Sequence, residues 1–262
     1  MMIGKMIGRG NTAEIFEWEE GKVIKLFHEG YSVDAVEKEF RNASAVANFE
    51  FDQPKLYGRA DYENRNGIVY ERINGITLLD YIMQEENLDT SGKILAEVHK
   101  KLLSNKVHGV YRHKDILKYN IETITDMNQE SKNDILKLLS ELPDAETLCH
   151  GDFHPGNILI QQDKYMIIDW MNVCSGHPYS DVARTIYLIE MTPVPGEIED
   201  KESFMQMKKA MGDTYLRYME IDRQEIEKWL ILISAAQIND GVSEEERQII
   251  IEYLRHVGYW KQ

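Results

Sequence analysis

An α+β chain in two lobes, a small mostly β lobe followed by a larger mostly helical one, is the fold class this sequence predicts, and three observations carry it. At 262 residues and 43% hydrophobic content, the chain has reached the size at which a single core begins to split. Up to Gly75, short apolar runs alternate with turn residues, many of them glycines. Beyond it, apolar residues recur at helical spacing. The boundary is therefore placed at Gly75, giving lobes 1–75 and 76–262, with no low-complexity linker or internal repeat.

In the first lobe, Ile7-Gly8-Arg9-Gly10-Asn11-Thr12-Ala13-Glu14-Ile15-Phe16 sets two glycines in a turn between β-prone segments. Backbone N–H groups at Gly8, Gly10, Asn11 and Thr12 are candidates to close over phosphates; a plain hairpin, with glycines serving turn geometry, stays open as the alternative. Phe16–Trp18, the turn Glu19-Glu20-Gly21, and Val23–Phe27 read as a second hairpin in which Lys25 interrupts an apolar strand. An ammonium in a half-buried strand needs an anionic partner, because an unpaired buried charge is expensive, and a nucleotide phosphate fits. From Val33 to Phe49, apolar residues at Val33, Val36, Phe40, Ala43 and Ala47 predict an amphipathic helix. Glu39, beside that stripe, is one candidate carboxylate to hold Lys25, with Glu37 as its competitor. Ile68–Ile73 then predicts a strand closing on the glycine turn at Gly75.

In the second lobe, Ile94, Leu95, Val98 and Leu102 share one helix face, and Ile135, Leu138, Leu139 and Leu142 another, with Ser131 and Asp134 read as its capping pair. Phe204, Met207, Met211, Tyr215 and Tyr218 follow the same spacing. So do Ile249, Ile250, Tyr253, Leu254 and Val257, after a capping box of Ser243 and Glu246 and before Gly258 as a stop. These are core positions.

The chemistry concentrates in His150-Gly151-Asp152-Phe153-His154-Pro155-Gly156-Asn157 and in Ile167-Ile168-Asp169-Trp170. A carboxylate and a carboxamide five positions apart, separated by Pro155 and Gly156, belong to a tight loop rather than a helix. Ile158–Ile160 and Tyr165–Ile168, bridged by Gln161–Lys164, read as a β-hairpin that returns Asp169 to Asn157, so that both reach one cation. Magnesium takes hard oxygen ligands and keeps several waters, so one carboxylate, one amide oxygen and substrate phosphates suffice. Asp152 is spaced to act as the base for an incoming hydroxyl, and the whole reads as a phosphoryl-transfer centre.

HGDFHPGN followed by IIDW resembles the aminoglycoside phosphotransferase and choline kinase family, relatives of the protein kinases, and the resemblance spans most of the chain. It implies a bilobal protein-kinase-like fold. It also implies Mg2+-dependent transfer of a γ-phosphoryl group from ATP or GTP to a small hydroxyl-bearing acceptor. Lys25 and Glu39 would be the lysine–glutamate pair of the nucleotide site. The backbone of Glu71 and Ile73 would bind a purine edge at the hinge, and Tyr70 would flank the base, where its bulk suggests use of GTP as well as ATP. Asp181 would be the helix-start aspartate that accepts catalytic-loop amides; His154 is read as a brace of the loop, with a hydrogen bond to the transferring phosphate open as the alternative, and His150 as a packing residue. The sequence departs from the pattern where Ala13 replaces a third glycine, and where Trp170-Met171 follow Asp169 in place of Phe-Gly. Little chain separates Asp169 from Asp181, which favours a small-molecule acceptor over a protein. A catalytically silent nucleotide binder, and a kinase of choline, an amino alcohol or a sugar, stay open as alternatives.

A net charge of −15 argues against nucleic acid as a partner and suits a cationic substrate. Cys149 and Cys174 form no metal motif or disulfide framework. The longest apolar run, Trp229–Ala236, is too short for a membrane span, and the amino terminus lacks a signal-peptide core, so a cytoplasmic location is expected.

Overall fold

The computed structural model describes residues 3–85 and 87–261. The chain divides into two compact units, Met1–Tyr81 with Pro155–Val173, and Ile82–His154 with Cys174–Gln262. The first therefore runs past Gly75 and takes up the hairpin that carries Asp169.

The first unit is built on a five-stranded antiparallel sheet: β1 (Met6–Arg9), β2 (Ala13–Glu17), β3 (Lys22–Phe27), β4 (Leu56–Tyr62) and β5 (Arg65–Glu71), in the order β1-β2-β3-β5-β4. Alternation sorts its two faces. Ala13, Phe27 and Ile68 pack with Val36 of helix α1 (Val33–Val46), whereas Ile24, Leu26 and Val69 face the other way against Phe16, Trp18 and Tyr62. Lys25 pairs in register with Ile15 and Ile68, so it falls on the α1 face. Strand β4 was not expected. Its joint to β5 is a two-residue turn, Glu63-Asn64, with both residues at positive φ (48° and 63°), a type I′ hairpin geometry reached here without glycine.

The stripe of α1 differs from the expected one. Val33 is 58% exposed and Ala47 is also exposed, while Glu39 and Asn42 are buried beside Val36, Ala43 and Val46. The helix has turned its polar residues inward because each finds a partner there: Lys25 for Glu39, and the carbonyl of Met171 for the Asn42 amide at 3.0 Å.

A short sheet of β6 (Ile76–Thr77), β9 (Ile158–Gln161) and β10 (Lys164–Ile167) completes this unit. Gly75 lies so close to it that a Cβ there would sit 2.0 Å from the Ile160 carbonyl oxygen. Gly75→Ala is accordingly expected to destabilise the protein by about 1–3 kcal/mol, the usual cost of overpacking against backbone. A thermal melt equal to wild type would contradict that.

The second unit is mostly helical: α3 (Leu88–Leu103), α4 (His113–Glu122), α5 (Gln129–Glu141), α6 (Pro178–Glu190), α7 (Lys201–Met219), α8 (Arg223–Gln237) and α9 (Glu244–His256). A three-stranded sheet joins them, β7 (Tyr111–Arg112), β11 (Cys174–Gly176) and β8 (Thr147–Cys149); α2 (Leu78–Glu85) bridges the chain into this unit from the first. Two caps differ from expectation. Asn128, not Ser131, caps α5: its side chain accepts from the Ser131 N–H at 2.8 Å, and Ser131 is fully buried inside the helix. Ser243 caps α9 through the Glu246 N–H at 3.2 Å, but the Glu246 carboxylate accepts the Tyr187 hydroxyl at 2.6 Å. The glycine stop is present, Gly258 following α9 at φ 83°. α6 packs against α7 and α8 and buries Val182, Ile186 and Tyr187 completely, each worth about 1.5–3 kcal/mol of hydrophobic stabilisation. Among the described residues no helix is long and apolar enough to cross a membrane.

Candidate active site

In the first unit, Lys25 is the centre of a three-residue cluster. Its Nζ donates to both oxygens of Glu39 at 2.8 and 3.0 Å and to Oδ1 of Asp169 at 3.0 Å. Glu39 is fully buried, the Lys25 side chain is 11% exposed and that of Asp169 is 39% exposed, so the cluster opens to solvent at Asp169. Burial alone would depress the ammonium pKa; the Asp169 and Glu39 carboxylates more than offset it and hold the pKa above its ordinary value. Lys25 is therefore charged across the physiological range. The competitor Glu37 is engaged elsewhere, in an ion pair with Arg59. Tyr70 lies on the same face, its hydroxyl buried. Burial first, then the negative field of Glu39 and Asp169, push its phenol well above the ordinary value.

Glu39→Gln removes one of two anions from a buried cation. The fold is expected to lose roughly 1–3 kcal/mol, less than a full deletion because the amide still accepts a hydrogen bond. Equal melting of the variant and wild type would remove Glu39 from this role.

Asp169 reaches Lys25 because the hairpin β9–β10 pairs Ile158 with Ile167 and sends the Ile168 N–H to the Asn157 carbonyl at 3.0 Å. Asp169 then turns out of the strand at φ 67°, ψ 76°, a left-handed conformation that is uncommon for a non-glycine residue and that clusters at functional sites. Trp170 anchors the segment by packing on Phe51, ring centroids 5.6 Å apart. Asn157 is buried at the end of a 3-10 turn, Pro155–Asn157.

Gly8 lies within β1 opposite Ile15, so the turn proper is Gly10-Asn11-Thr12, closed by the Gly10 N–H on the Ala13 carbonyl at 2.9 Å. Ala13, standing where a third glycine was expected, is buried in the core against Phe27 and Val36. The Glu71 N–H is spent on the Lys55 carbonyl at 2.8 Å, and Ile73 lies just beyond the end of β5.

The second unit holds Asp152. Its Oδ1 lies 3.4 Å from Arg184 Nη2 and its Oδ2 3.7 Å from His154 Nε2. Burial would raise its carboxyl pKa, but His154 and Arg184 outweigh that and lower it to about 2. The loop is held by Asp181, which accepts the backbone N–H groups of His150 at 2.7 Å and Gly151 at 2.9 Å. The fully buried Asp181 carboxylate also meets His99 Nε2 at 3.1 Å, and His99 Nδ1 meets the Tyr215 hydroxyl at 2.6 Å. Burial opposes the charge on Asp181, yet His99 and the loop hold its pKa below the ordinary value. His150 is fully buried, packed edge-on to Phe153, which stacks on His99 at 4.0 Å.

His99 and Arg184 were not anticipated. His99 left a trace, because it falls on the apolar stripe between Leu95 and Leu102; Arg184 left none, since an arginine two turns into a helix is usually solvated.

Two units, one organised by a β-sheet and one helical, with a lysine–glutamate–aspartate cluster and an aspartate loop tied to a helix start, define a kinase-like fold. The chain belongs to the phosphotransferase enzyme family (APH), whose model matches residues 7–204, and it is a small-molecule kinase. It is similar in fold to a thermostable mutant of aminoglycoside phosphotransferase APH(4)-Ia, with 15% identity over 98% of this chain and 96% of that one at a TM-score of 0.69. It is similar also to the amicoumacin kinase hAmiN in complex with AMP-PNP, Ca2+ and Ami, with 15% identity over 97% and 87% and a TM-score of 0.63. A choline kinase from Cryptosporidium parvum Iowa II matches at 14% identity over 97% and 88%, with a TM-score of 0.53. A search of curated protein sequences returned no significant match.

Proposed function

We propose that the protein transfers the γ-phosphoryl group of ATP or GTP, with Mg2+, to a hydroxyl of a small cationic acceptor. The observation that carries this reading is the Lys25–Glu39–Asp169 cluster. It is a buried ammonium fixed by a fully buried carboxylate and opening to solvent beside a second one, the arrangement a polyphosphate with its cation requires.

The donor set fits magnesium. Asn157 and Asp169 would supply hard oxygens, a pairing supported by the backbone bond from the Ile168 N–H to the Asn157 carbonyl, and among the described residues no cluster of three or more His, Cys, Asp or Glu is arranged to hold a metal unaided. Bound there, the cation would withdraw charge from the phosphate oxygens. The chain's own residues do the rest. Lys25 neutralises phosphate charge, and the Gly10–Thr12 turn offers backbone N–H groups. Asp152 orients the acceptor hydroxyl and takes its proton as the bond to phosphorus forms and the bond from phosphorus to the β–γ bridging oxygen breaks, releasing ADP or GDP. A carboxyl with a pKa of about 2 is a weak base. That suits a loose transition state, in which the proton leaves late and orientation matters more than basicity. Acid loss of kcat/KM above pH 4 is therefore expected to arise from groups other than Asp152, which stays ionised down to its depressed pKa. A limb that disappears in Asp152→Asn would contradict this.

Acceptors named for the structural neighbours, aminoglycosides and choline, are cationic, and the net charge of −15 favours such ligands here. The reading is tested by a panel of aminoglycosides, choline, amino alcohols and sugars scored for acceptor-dependent release of ADP or GDP. No release with any of them would overturn it. Tyr70, beside the Lys25 cluster, supports use of both nucleotides. The expected kcat/KM values for ATP and GTP lie within about tenfold, or about 1.4 kcal/mol. A strong ATP preference would sink that part.

A further inference from the structure

We propose that Arg184 is a positioning residue for Asp152, presenting its carboxylate in a single orientation; the inference rests on the assignment of Asp152 to the acceptor hydroxyl. Asp181 and Arg184 stand three residues apart on α6 and so share a face. Between them they grip one residue, Gly151, through its two flanking peptide groups. Asp181 accepts the Gly151 N–H at 2.9 Å, and Arg184 Nε donates to the Gly151 carbonyl at 3.1 Å. Gly151 itself is at φ 76°, a left-handed turn that aims the next residue. That residue is Asp152, and the same guanidinium reaches its Oδ1 through Nη2 at 3.4 Å.

The guanidinium is enclosed on most sides. Its side chain is 11% exposed, and its Cζ lies 5.2 Å over the ring of the fully buried Tyr187, which is tethered in turn by its hydroxyl to Glu246 at 2.6 Å. Nη1 is buried as well and has no hydrogen-bond partner among the described residues, so the polar contacts that Arg184 makes are those to the loop through Nε and Nη2. Burying an arginine is costly unless a carboxylate pairs with it, and among the described residues Asp152 is the one in ion-pair contact with Arg184. A bond to Gly151 alone would make this a loop brace. The second arm on Oδ1, opposite His154 on Oδ2, fixes the carboxylate's rotation. Lysine does not replace it, because a single ammonium lacks the planar fork that spans carbonyl and carboxylate together.

The test is a double-mutant cycle. Arg184→Gln and Arg184→Lys are each made in wild type and in Asp152→Asn, and Mg-ATP turnover is read as ADP release with hygromycin B, gentamicin or choline and in water alone. Arg184→Gln is expected to lower kcat by roughly 10–100-fold, with AMP-PNP affinity unchanged, and to add less than about twofold in the Asp152→Asn background. Arg184→Lys is expected to recover only part of the loss; should Arg184→Gln fail to fold, the lysine variant carries the same comparison. Equal losses in both backgrounds, or full activity with lysine, would overturn the positioning role while leaving Asp152 in place. Wild-type turnover in Asp152→Asn alone, or no ADP release by wild type under any condition, would remove the underlying reading and the proposal with it.

Discussion

Asp152→Asn is expected to lower kcat by roughly 10²–10⁴-fold, the usual scale for losing a positioned acid–base group, while nucleotide affinity survives. The split follows from where the residues lie. Lys25, Glu39, Asn157 and Asp169 belong to the first unit, and Asp152 to the second, held there by Arg184, His154 and the Asp181-anchored loop. Removing the carboxylate therefore leaves the phosphate-directed cluster intact. Asparagine is preferred to alanine because it still fills the space beside Arg184, whose buried charge would otherwise lose all contact there. Steady-state kinetics with an AMP-PNP titration checks both halves. Unchanged kcat would remove Asp152 from the reaction, and a parallel loss of nucleotide affinity would show that the loop, not the carboxylate, had been lost.

The largest stability effect is expected at Asp181. Its carboxylate accepts two backbone N–H groups and faces His99, all buried. In Asp181→Ala those donors are left without an acceptor, at about 1–3 kcal/mol for each hydrogen-bonding group, so a loss of about 3–5 kcal/mol is expected. Asp181→Asn should lose less, because one amide oxygen still accepts. The pH dependence has a definite sign. The folded pKa lies below the ordinary carboxyl value, so the stabilisation is complete above the unfolded pKa of about 3.9 and is lost as pH falls through the folded one. Wild type and Asp181→Asn should therefore differ most near neutrality and converge in strong acid. Denaturant melts at neutral pH and below pH 3 compare them, and a gap that widens in acid would contradict the assignment.

The readable parts of this molecule are those in which one residue contradicts its local pattern. Lys25 breaks an apolar strand, and only a buried anion explains it; Glu39 was chosen because it lies beside a helix stripe and matches the helix glutamate that the family resemblance implies. The hairpin that returns the chain from Asn157 to Asp169 was legible because two apolar runs flank a polar turn, whatever surrounds them. The stripe of α1 was misread at Val33 and Ala47, since pattern counting takes apolar residues as buried, while Glu39 and Asn42 reverse the rule by pairing inward. Strand β4 escaped because Gly58, Arg59 and Asp61 dilute its alternation, and because its turn uses Glu63-Asn64 in place of a glycine pair. Asn128 escaped because Ser131 offered a cap of equal chemistry three residues on. Arg184 could not be read at all. Its role depends on a loop more than thirty residues away in sequence reaching the same helix face, and nothing in its own neighbourhood marks that.

The central claim, that the Lys25 cluster receives a metal-bound nucleotide, is tested most directly by calorimetry with AMP-PNP and its guanine counterpart, with and without Mg2+, on wild type and Lys25→Met. Saturable binding that requires the divalent ion, and weakens by about tenfold or more in the variant, about 1.4 kcal/mol, is the expected result. No heat with either nucleotide in the presence of Mg2+, or equal affinity in Lys25→Met, would contradict it.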